Sequence, residues 1–129
     1  MADSNKIYTV LFMGPSGSGK DTQASLLKKF LEKRDGQASV LEVGTGDKLR
    51  EAAQKETYIA RFIHKIVLEK GKKIPDLLAL WAIGQVLINE MQEGQHLLFS
   101  SSPRSIFEAE LLDDLFLDLG RNNVFLYLS

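Results

Sequence analysis

The sequence predicts an α/β fold in which a parallel β-sheet carries helices on both faces. Short apolar runs rich in β-branched and aromatic residues alternate along the chain with segments of helical spacing. A glycine-rich loop joins the first run to the first helix, and no internal repeat or low-complexity segment interrupts the alternation. Strands that alternate with helices favour a parallel sheet, because parallel neighbours need a long crossover connection, usually a helix.

Four runs are predicted as strands. The first, residues 7–13, is apolar almost throughout, which is typical of a strand buried on both faces of a sheet. The other three cover residues 39–43, 96–100 and 124–128. No helical pattern follows the fourth strand, so we expect the sequence to be part of a longer protein.

Five segments are predicted as helices, and several begin with a capping residue. Asp47 and Thr57 are expected to cap the second and third helices, and Ser105 the fifth, with Glu108 in the capping-box position. The helices are predicted at 20–33, 47–54, 57–71, 77–93 and 105–119. Three of them lie between the second and third strands, which is more than one crossover needs. Part of this region is therefore expected to project as a flap.

The composition is that of an ordinary soluble domain. Of the 129 residues, 44% are hydrophobic and 26% are charged, and the formal net charge is −1. This balance argues against general binding to nucleic acid or membrane surfaces, so any anion site must be local. The absence of cysteine excludes disulfides and thiolate metal sites. His64 and His96 lack ligand-spaced partners and are expected to be structural or solvated. With no signal-peptide pattern or membrane-length apolar segment, a cytoplasmic location is expected.

Residues 14–23, GPSGSGKDTQ, combine bare backbone with one positive charge. The three glycines are Gly14, Gly17 and Gly19. They allow backbone N–H groups to surround an anion at the start of a helix, and Lys20 adds a charge for the β- and γ-phosphates. The spacing fits most of the P-loop pattern G-x-x-x-x-G-K-[ST], but Asp21 stands where Ser or Thr usually contacts magnesium. A glycine-rich turn with a chance lysine remains the alternative.

This loop resembles that of the adenylate kinase family of nucleoside monophosphate kinases, commonly G-x-P-G-x-G-K-G-T-Q. Ser16 replaces the family's proline and Asp21 its glycine. The resemblance implies a three-layer P-loop NTPase-type fold with a helical monophosphate-binding flap, and it makes Lys20 a catalytic residue. The implied ATP phosphate-binding residues are Gly14, Gly17, Ser18, Gly19, Lys20, Asp21 and Thr22.

Magnesium is the cofactor that the resemblance implies, and Asp21 has two interpretations. A carboxylate in the first turn of a helix is favoured by the helix dipole alone. Alternatively, Asp21 helps to hold hydrated Mg²⁺ beside the phosphates. Ser100 occupies the place of the family's aspartate that orders the magnesium waters. Our hypothesis is that the carboxylate has moved from the third strand to the loop.

Three further motifs are similar to the family's acceptor-binding half. Residues 44–50 resemble S-T-G-D-x-[LF]-R, residues 71–76 resemble G-x-x-[VI]-P-D, and residues 99–105 resemble L-D-G-[FY]-P-R-[ST]. The resemblance implies one kinase-like domain over 1–129, incomplete, with 44–76 as the flap. The implied acceptor-binding residues are Thr45, Arg50, Lys73, Ile74, Arg104 and Glu108, with Arg104 also catalytic.

Each of these residues also has a plainer interpretation. Arg50 would usually be a solvated helix residue, Gly71 and Pro75 simply mark helix boundaries, and Glu108 completes a capping box. An ionised glutamate only accepts hydrogen bonds, so Glu108 would suit an N–H-rich base edge. The family has glutamine there.

The expected function is phosphoryl transfer from ATP to a nucleoside monophosphate, with AMP as the first choice. We expect a monomer whose partners are these two nucleotides, with no nucleic acid and no membrane. The family's lid has no counterpart in the sequence, so the chain is expected to bind nucleotides yet to catalyse poorly. The alternatives are a non-catalytic nucleotide-binding or sensing module, a P-loop hydrolase or switch, and a kinase for another small acceptor.

Overall fold

The computed structural model describes residues 6–15 and 17–128. Ser16, one of the departures from the family's loop, therefore lies outside the described residues. The chain divides into two compact units. The sheet unit contains the chain up to Val43 and again from Met91, and the helical unit is Gly44–Glu90. The predicted flap, 44–76, falls within the helical unit, which also includes the long helix that follows it.

The strands and helices follow the predicted order. They are β1 (Tyr8–Met13), α1 (Lys20–Asp35), β2 (Val40–Val43), α2 (Gly46–Ala53), α3 (Tyr58–Phe62), α4 (Asp76–Glu90), β3 (His96–Phe99), α5 (Ile106–Asp118) and β4 (Asn122–Tyr127). A 3₁₀ turn, Gln37–Ser39, precedes β2, and a π-helical segment, Ile63–Glu69, follows α3 directly. Among the described residues, no helix combines the length and apolar character needed to cross a membrane.

The sheet is parallel throughout, as predicted, with strand order β2-β3-β1-β4. The registers pair Leu11 with Phe99 of β3, and Met13 with Tyr127 of β4. The carboxyl ends of β1, β3 and β4 therefore lie side by side, and this is the edge where ligands of open α/β sheets bind.

Alternate residues of the strands face two different helices. Val10 of β1 and Leu98 of β3 pack with Ala24 and Leu31 of α1 in one buried cluster. On the opposite face, the ring of Phe99 lies 5.8 Å from that of Phe116 in α5. Because neighbouring strand residues point to opposite faces, α1 and α5 lie on opposite faces of the sheet. This arrangement confirms the predicted layering.

Arg121 joins three strands at the amino-terminal edge of the sheet. Its Nε donates to the Oγ1 of Thr9, at 2.7 Å, and its Nη2 donates to the carbonyl of Gln95. Thr9 is fully buried, so this hydroxyl has no access to water. Partial burial lowers the pKa of Arg121 from its usual value, because removal from water disfavours the charged form.

His96 is part of a second cluster at the same edge. Its Nδ1 accepts from the backbone N–H of Tyr8, at 2.9 Å, and its Nε2 lies 2.7 Å from Oδ2 of Asp35. Arg34 and His96 both bond the Asp35 carboxyl and lower its pKa to about 2, with Arg34 the larger cause. His96 was expected to be either structural or solvated. It is buried, so its role is structural.

The helical unit has its own core, which includes Leu49, Ile63 and Ile74. Two predictions for this region were wrong. Thr45, not Asp47, is the N-cap residue of α2, so Asp47 lies within the helix. The helix predicted over 57–71 is divided between α3 and the π-helical segment. Thr57 does cap α3, because its side chain accepts from the backbone N–H of Ala60.

Candidate functional site

A cavity of about 580 Å³ lies at the carboxyl-terminal edge of the sheet, within the sheet unit. Its walls come from the ends of β1 and β4, the first residues of α1, and the segment after β3. The lining residues are Phe12, Met13, Gly14, Pro15, Lys20, Asp21, Ser100, Ser101, Pro103, Arg104 and Tyr127. Two sequence motifs that lie far apart along the chain, the glycine-rich loop and the segment after β3, therefore contribute to one cavity.

Gly14 opens the loop at a position that no other residue fits well. Its φ is +147°, and a Cβ atom there would lie 2.2 Å from the carbonyl oxygen of Leu128. The backbone N–H of Leu128 in turn donates to the carbonyl of Met13, at 2.8 Å. The absence of a side chain at residue 14 thus lets the loop start directly against the end of β4.

Lys20 and Asp21 begin α1 and line the cavity together. Gly19, with φ at +90°, is the N-cap residue of the helix, so the first turn starts at the cavity wall. Of the predicted ATP-binding residues, Gly14, Lys20 and Asp21 line the cavity, and Gly17, Ser18, Gly19 and Thr22 do not. The Oγ of Ser18 is buried and has no hydrogen-bond partner in the described part of the chain.

Arg104 reaches the same cavity from the segment after β3. Its Nε donates to the carbonyl of Ser101, at 3.0 Å, and its backbone N–H donates to Oε1 of Glu108, at 3.4 Å. Ser105 caps α5 as predicted, because its Oγ accepts from the backbone N–H of Glu108 at 3.2 Å. The peptide bond between Ser102 and Pro103 is cis.

Glu108 was expected either to contact the acceptor base or to complete a capping box, and the structure places its side chain in the interior. Its side chain is fully buried, with 0% exposure, so in this structure it presents no surface to a base. Its Oε1 accepts from the backbone N–H of Arg104, and its own backbone N–H donates to the Oγ of Ser105, which is one of the two bonds of a capping box. The carboxylate supports the backbone of the residue expected to bind the acceptor phosphate.

The predicted acceptor residues of the helical unit begin with Thr45 and Arg50. Thr45 is buried, with 7% exposure, and its side chain makes no capping hydrogen bond. Arg50 forms an ion pair with Asp47, three residues before it on α2, and both side chains are solvent-exposed. A phosphate that binds Arg50 would therefore have to share this guanidinium with the Asp47 carboxylate or displace that carboxylate.

Lys73 and Ile74 come from the segment between the π-helical segment and α4. The Nζ of Lys73 lies 3.7 Å from Oδ1 of Asp76, and the side chain of Ile74, 3% exposed, belongs to the core of the helical unit. Residues 71–75 have no regular helix or strand. Because the side chain of Ile74 is buried, this residue can offer a ligand only its backbone groups, whereas the side chain of Lys73 is exposed.

Tyr127 is a lining residue that the sequence did not identify. It ends β4 next to Met13, and 71% of its surface is exposed. Knowledge of the register between β1 and β4 would have placed Tyr127 beside Met13, because residues at the carboxyl ends of adjacent parallel strands lie together. The sequence alone does not give that register.

The oxygen-bearing side chains of the cavity fit a magnesium ion, the cofactor that the sequence resemblance implies. Asp21 supplies a carboxylate, and Ser100 and Ser101 supply hydroxyls. Hard oxygen ligands suit Mg²⁺, which usually keeps several waters and needs few protein groups when phosphates are present. Within the described ranges, no cluster of three or more histidine, cysteine, aspartate or glutamate residues forms a cage for a metal.

The chain is similar to several curated adenylate kinases. It is 32% identical over 106 residues to the adenylate kinase of Bartonella bacilliformis, a match that covers 80% of this chain and 49% of that protein. It is 33% identical over 111 residues to that of Thermus thermophilus, covering 86% and 52%. The chain thus spans about half the length of the curated relatives that it matches. No protein-family model matches it.

A solved structure supports the fold independently. The thymidylate kinase of Ehrlichia chaffeensis superposes with a TM-score of 0.55 at 16% identity, over 97% of this chain and 73% of the other. At this identity the similarity concerns the fold alone. The parallel sheet flanked by helices is thus one that a nucleotide kinase uses.

Proposed function

We propose that this chain, which belongs to the P-loop nucleoside monophosphate kinase family, transfers a phosphoryl group from ATP to a nucleoside monophosphate, with AMP as the first candidate acceptor. One observation carries the proposal. Lys20 and Arg104, which come from separate motifs, line one cavity at the edge of the sheet where such folds bind ligands. The named adenylate kinases among the relatives support AMP as the first acceptor to test.

The loop and the start of α1 would hold the donor. Backbone N–H groups at the beginning of a helix favour anions, and Lys20 adds a full positive charge at the same wall of the cavity. Phosphoryl transfer needs alignment and charge neutralisation more than it needs a protein nucleophile. We therefore assign Lys20 to the transferred phosphate and assign no general base.

Arg104 and Arg50 would bind the acceptor phosphate. A guanidinium offers a planar fork of donors that matches phosphate oxygens. The Nε of Arg104 is engaged by Ser101, and its two terminal nitrogens make no hydrogen bond to a described residue. Thr45 and the backbone near Lys73 and Ile74 are proposed for the acceptor nucleoside. Residues 44–76 would then be the acceptor-binding flap.

Magnesium is proposed as the cofactor, with Asp21 as the protein carboxylate that would hold it through water. When bound to ATP it would neutralise charge on the β- and γ-phosphates. The role of Lys20 and Arg104 is separate: they bind and orient the oxygens on either side of the transferred group.

The function is tested by mixing the chain with ATP and Mg²⁺ and, in turn, each nucleoside monophosphate, with ADP measured by a coupled assay. We expect ADP to form faster with one acceptor than with none. Lys20→Met should weaken ATP binding by about 10–150-fold, since a hydrogen bond to a charged group contributes about 1.5–3 kcal/mol. Lys29→Met, on the exposed side of α1, is the matched control and should bind like the wild type.

The outcomes of this panel separate the candidate functions. ADP that forms equally without an acceptor would indicate a hydrolase and contradict the proposal. Tight ATP binding without ADP would favour the second candidate, a non-catalytic nucleotide-binding or sensing module. The full burial of Glu108 and the Arg50–Asp47 pair favour that candidate, since both withhold predicted acceptor groups. We further propose a cytoplasmic monomer without nucleic-acid or membrane partners, which gel filtration and fractionation would test.

A further inference from the structure

Three charged side chains are among the described residues that line the cavity, and they differ in sign. Among the described lining residues, Lys20 and Arg104 are cationic and Asp21 is the one carboxylate. Asp21 is exposed and forms no ion pair with any residue that the structure describes. No ion pair with a described residue therefore offsets the effect of this carboxylate on a ligand in the cavity.

A carboxylate in this place has opposite effects on the two forms of ATP. Metal-free ATP brings several negative phosphate charges beside Asp21, and like charges at close range repel. With magnesium bound to the phosphates, the same carboxylate would be attracted to the cation and could hold it through water, since Mg²⁺ usually keeps several waters. We infer that Asp21 makes this site select nucleoside triphosphates in their magnesium-bound form, an inference that rests on the proposed function.

Asp21 lines the cavity, which stabilisation of helix α1 does not require. A carboxylate anywhere in the first turn would interact with the helix dipole. The neighbouring first-turn position, Thr22, does not line the cavity, whereas Asp21 does. A purely structural Asp21 would change the melting temperature of the protein and leave the preference for the metal complex unchanged.

Ser100 offers a position from which the same charge can be supplied. It follows β3 and lines the same cavity as Asp21, on a different segment of the chain. If the charge and its place in the cavity matter, rather than helix α1, a carboxylate at residue 100 should restore the selectivity that is lost at residue 21. This gives a gain-of-property test in addition to a loss.

The experiment measures binding of the non-hydrolysable ATP analogue AMPPNP by calorimetry, once with Mg²⁺ and once with EDTA. The ratio of the two dissociation constants is the readout, so no turnover is needed. We expect Asp21→Asn to tighten metal-free binding and to weaken binding of the magnesium complex. The ratio should fall by about tenfold or more, which corresponds to about 1.4 kcal/mol of selectivity.

Two further variants complete the design. Asp21→Asn combined with Ser100→Asp should recover most of the wild-type ratio, and Glu110→Gln, an exposed charge change on α5, should leave it unchanged. A ratio that Asp21→Asn leaves at the wild-type value would overturn the inference while the proposed function stands. Failure of the wild type to bind AMPPNP in either form would overturn both.

Discussion

Gly14 gives the sharpest test of how the loop is built. Replacement by alanine has two costs that the structure separates. A φ of +147° lies in a region open essentially to glycine, which costs about 1–3 kcal/mol for another residue. The new Cβ would also meet the carbonyl oxygen of Leu128 at 2.2 Å, so that the end of β4 must move. The move would break the hydrogen bond from Leu128 to Met13, at about 0.5–1.5 kcal/mol.

Gly14→Ala is therefore expected to reduce the free energy of unfolding by about 2–4 kcal/mol. Gly94→Ala is the matched control, because Gly94 has a φ of +86° and no atom lies within 4 Å of the position that its new Cβ would take. Gly94→Ala should reduce the free energy of unfolding only by the cost of a left-handed backbone at alanine, about 1–2 kcal/mol. Urea titrations followed by circular dichroism measure both, and AMPPNP binding should weaken only for Gly14→Ala. Equal destabilisation with unchanged binding in both variants would refute the reasoning.

Two further predictions concern the amino-terminal edge of the sheet. Arg121→Met and Thr9→Val should each cost about 1–3 kcal/mol, since each leaves a buried partner unpaired, and the double variant should cost less than their sum. Strict additivity in urea titrations would contradict this. Because Arg34 and His96 lower the pKa of Asp35 from 3.8 to about 2, its contribution is complete above about pH 4 and is lost as the pH falls through about 2. In Asp35→Asn, the free energy of unfolding should therefore depend less on pH between about pH 4 and 2. If its dependence on pH is the same as in the wild type, the pairing of Asp35 with Arg34 and His96 does not stabilise the fold.

The order of strands and helices was predictable because its signals are local. Apolar runs, glycine turns and the caps Thr57 and Ser105 act within a few residues of themselves. The misplaced cap of α2 is a local ambiguity, since Thr45 and Asp47 are both good capping residues two positions apart. The π-helical segment had no signal, because the apolar spacing of an α-helix does not reveal a locally wider turn.

The cavity was predictable only in part. The loop gave Gly14, Lys20 and Asp21, because spacing along one short segment defines a phosphate cradle. Tyr127 depends on the register of β4 against β1, which is a property of the folded sheet. The burial of Glu108 likewise depends on how α5 packs, and its sequence position fits a cap, a base contact or a support equally well.

The two arginines proposed for the acceptor phosphate are prepared to different degrees. Arg104 is oriented by the carbonyl of Ser101 and the carboxylate of Glu108, and its guanidinium forms no ion pair with a described carboxylate, so its charge is available before a ligand arrives. Arg50 is already paired with Asp47. A phosphate gains less from a guanidinium that must first weaken its bond to a carboxylate, because part of the new interaction replaces an old one. If both arginines bind the acceptor phosphate as proposed, Arg104 would do so without first losing an ion-pair partner, whereas Arg50 would first have to weaken its pair with Asp47.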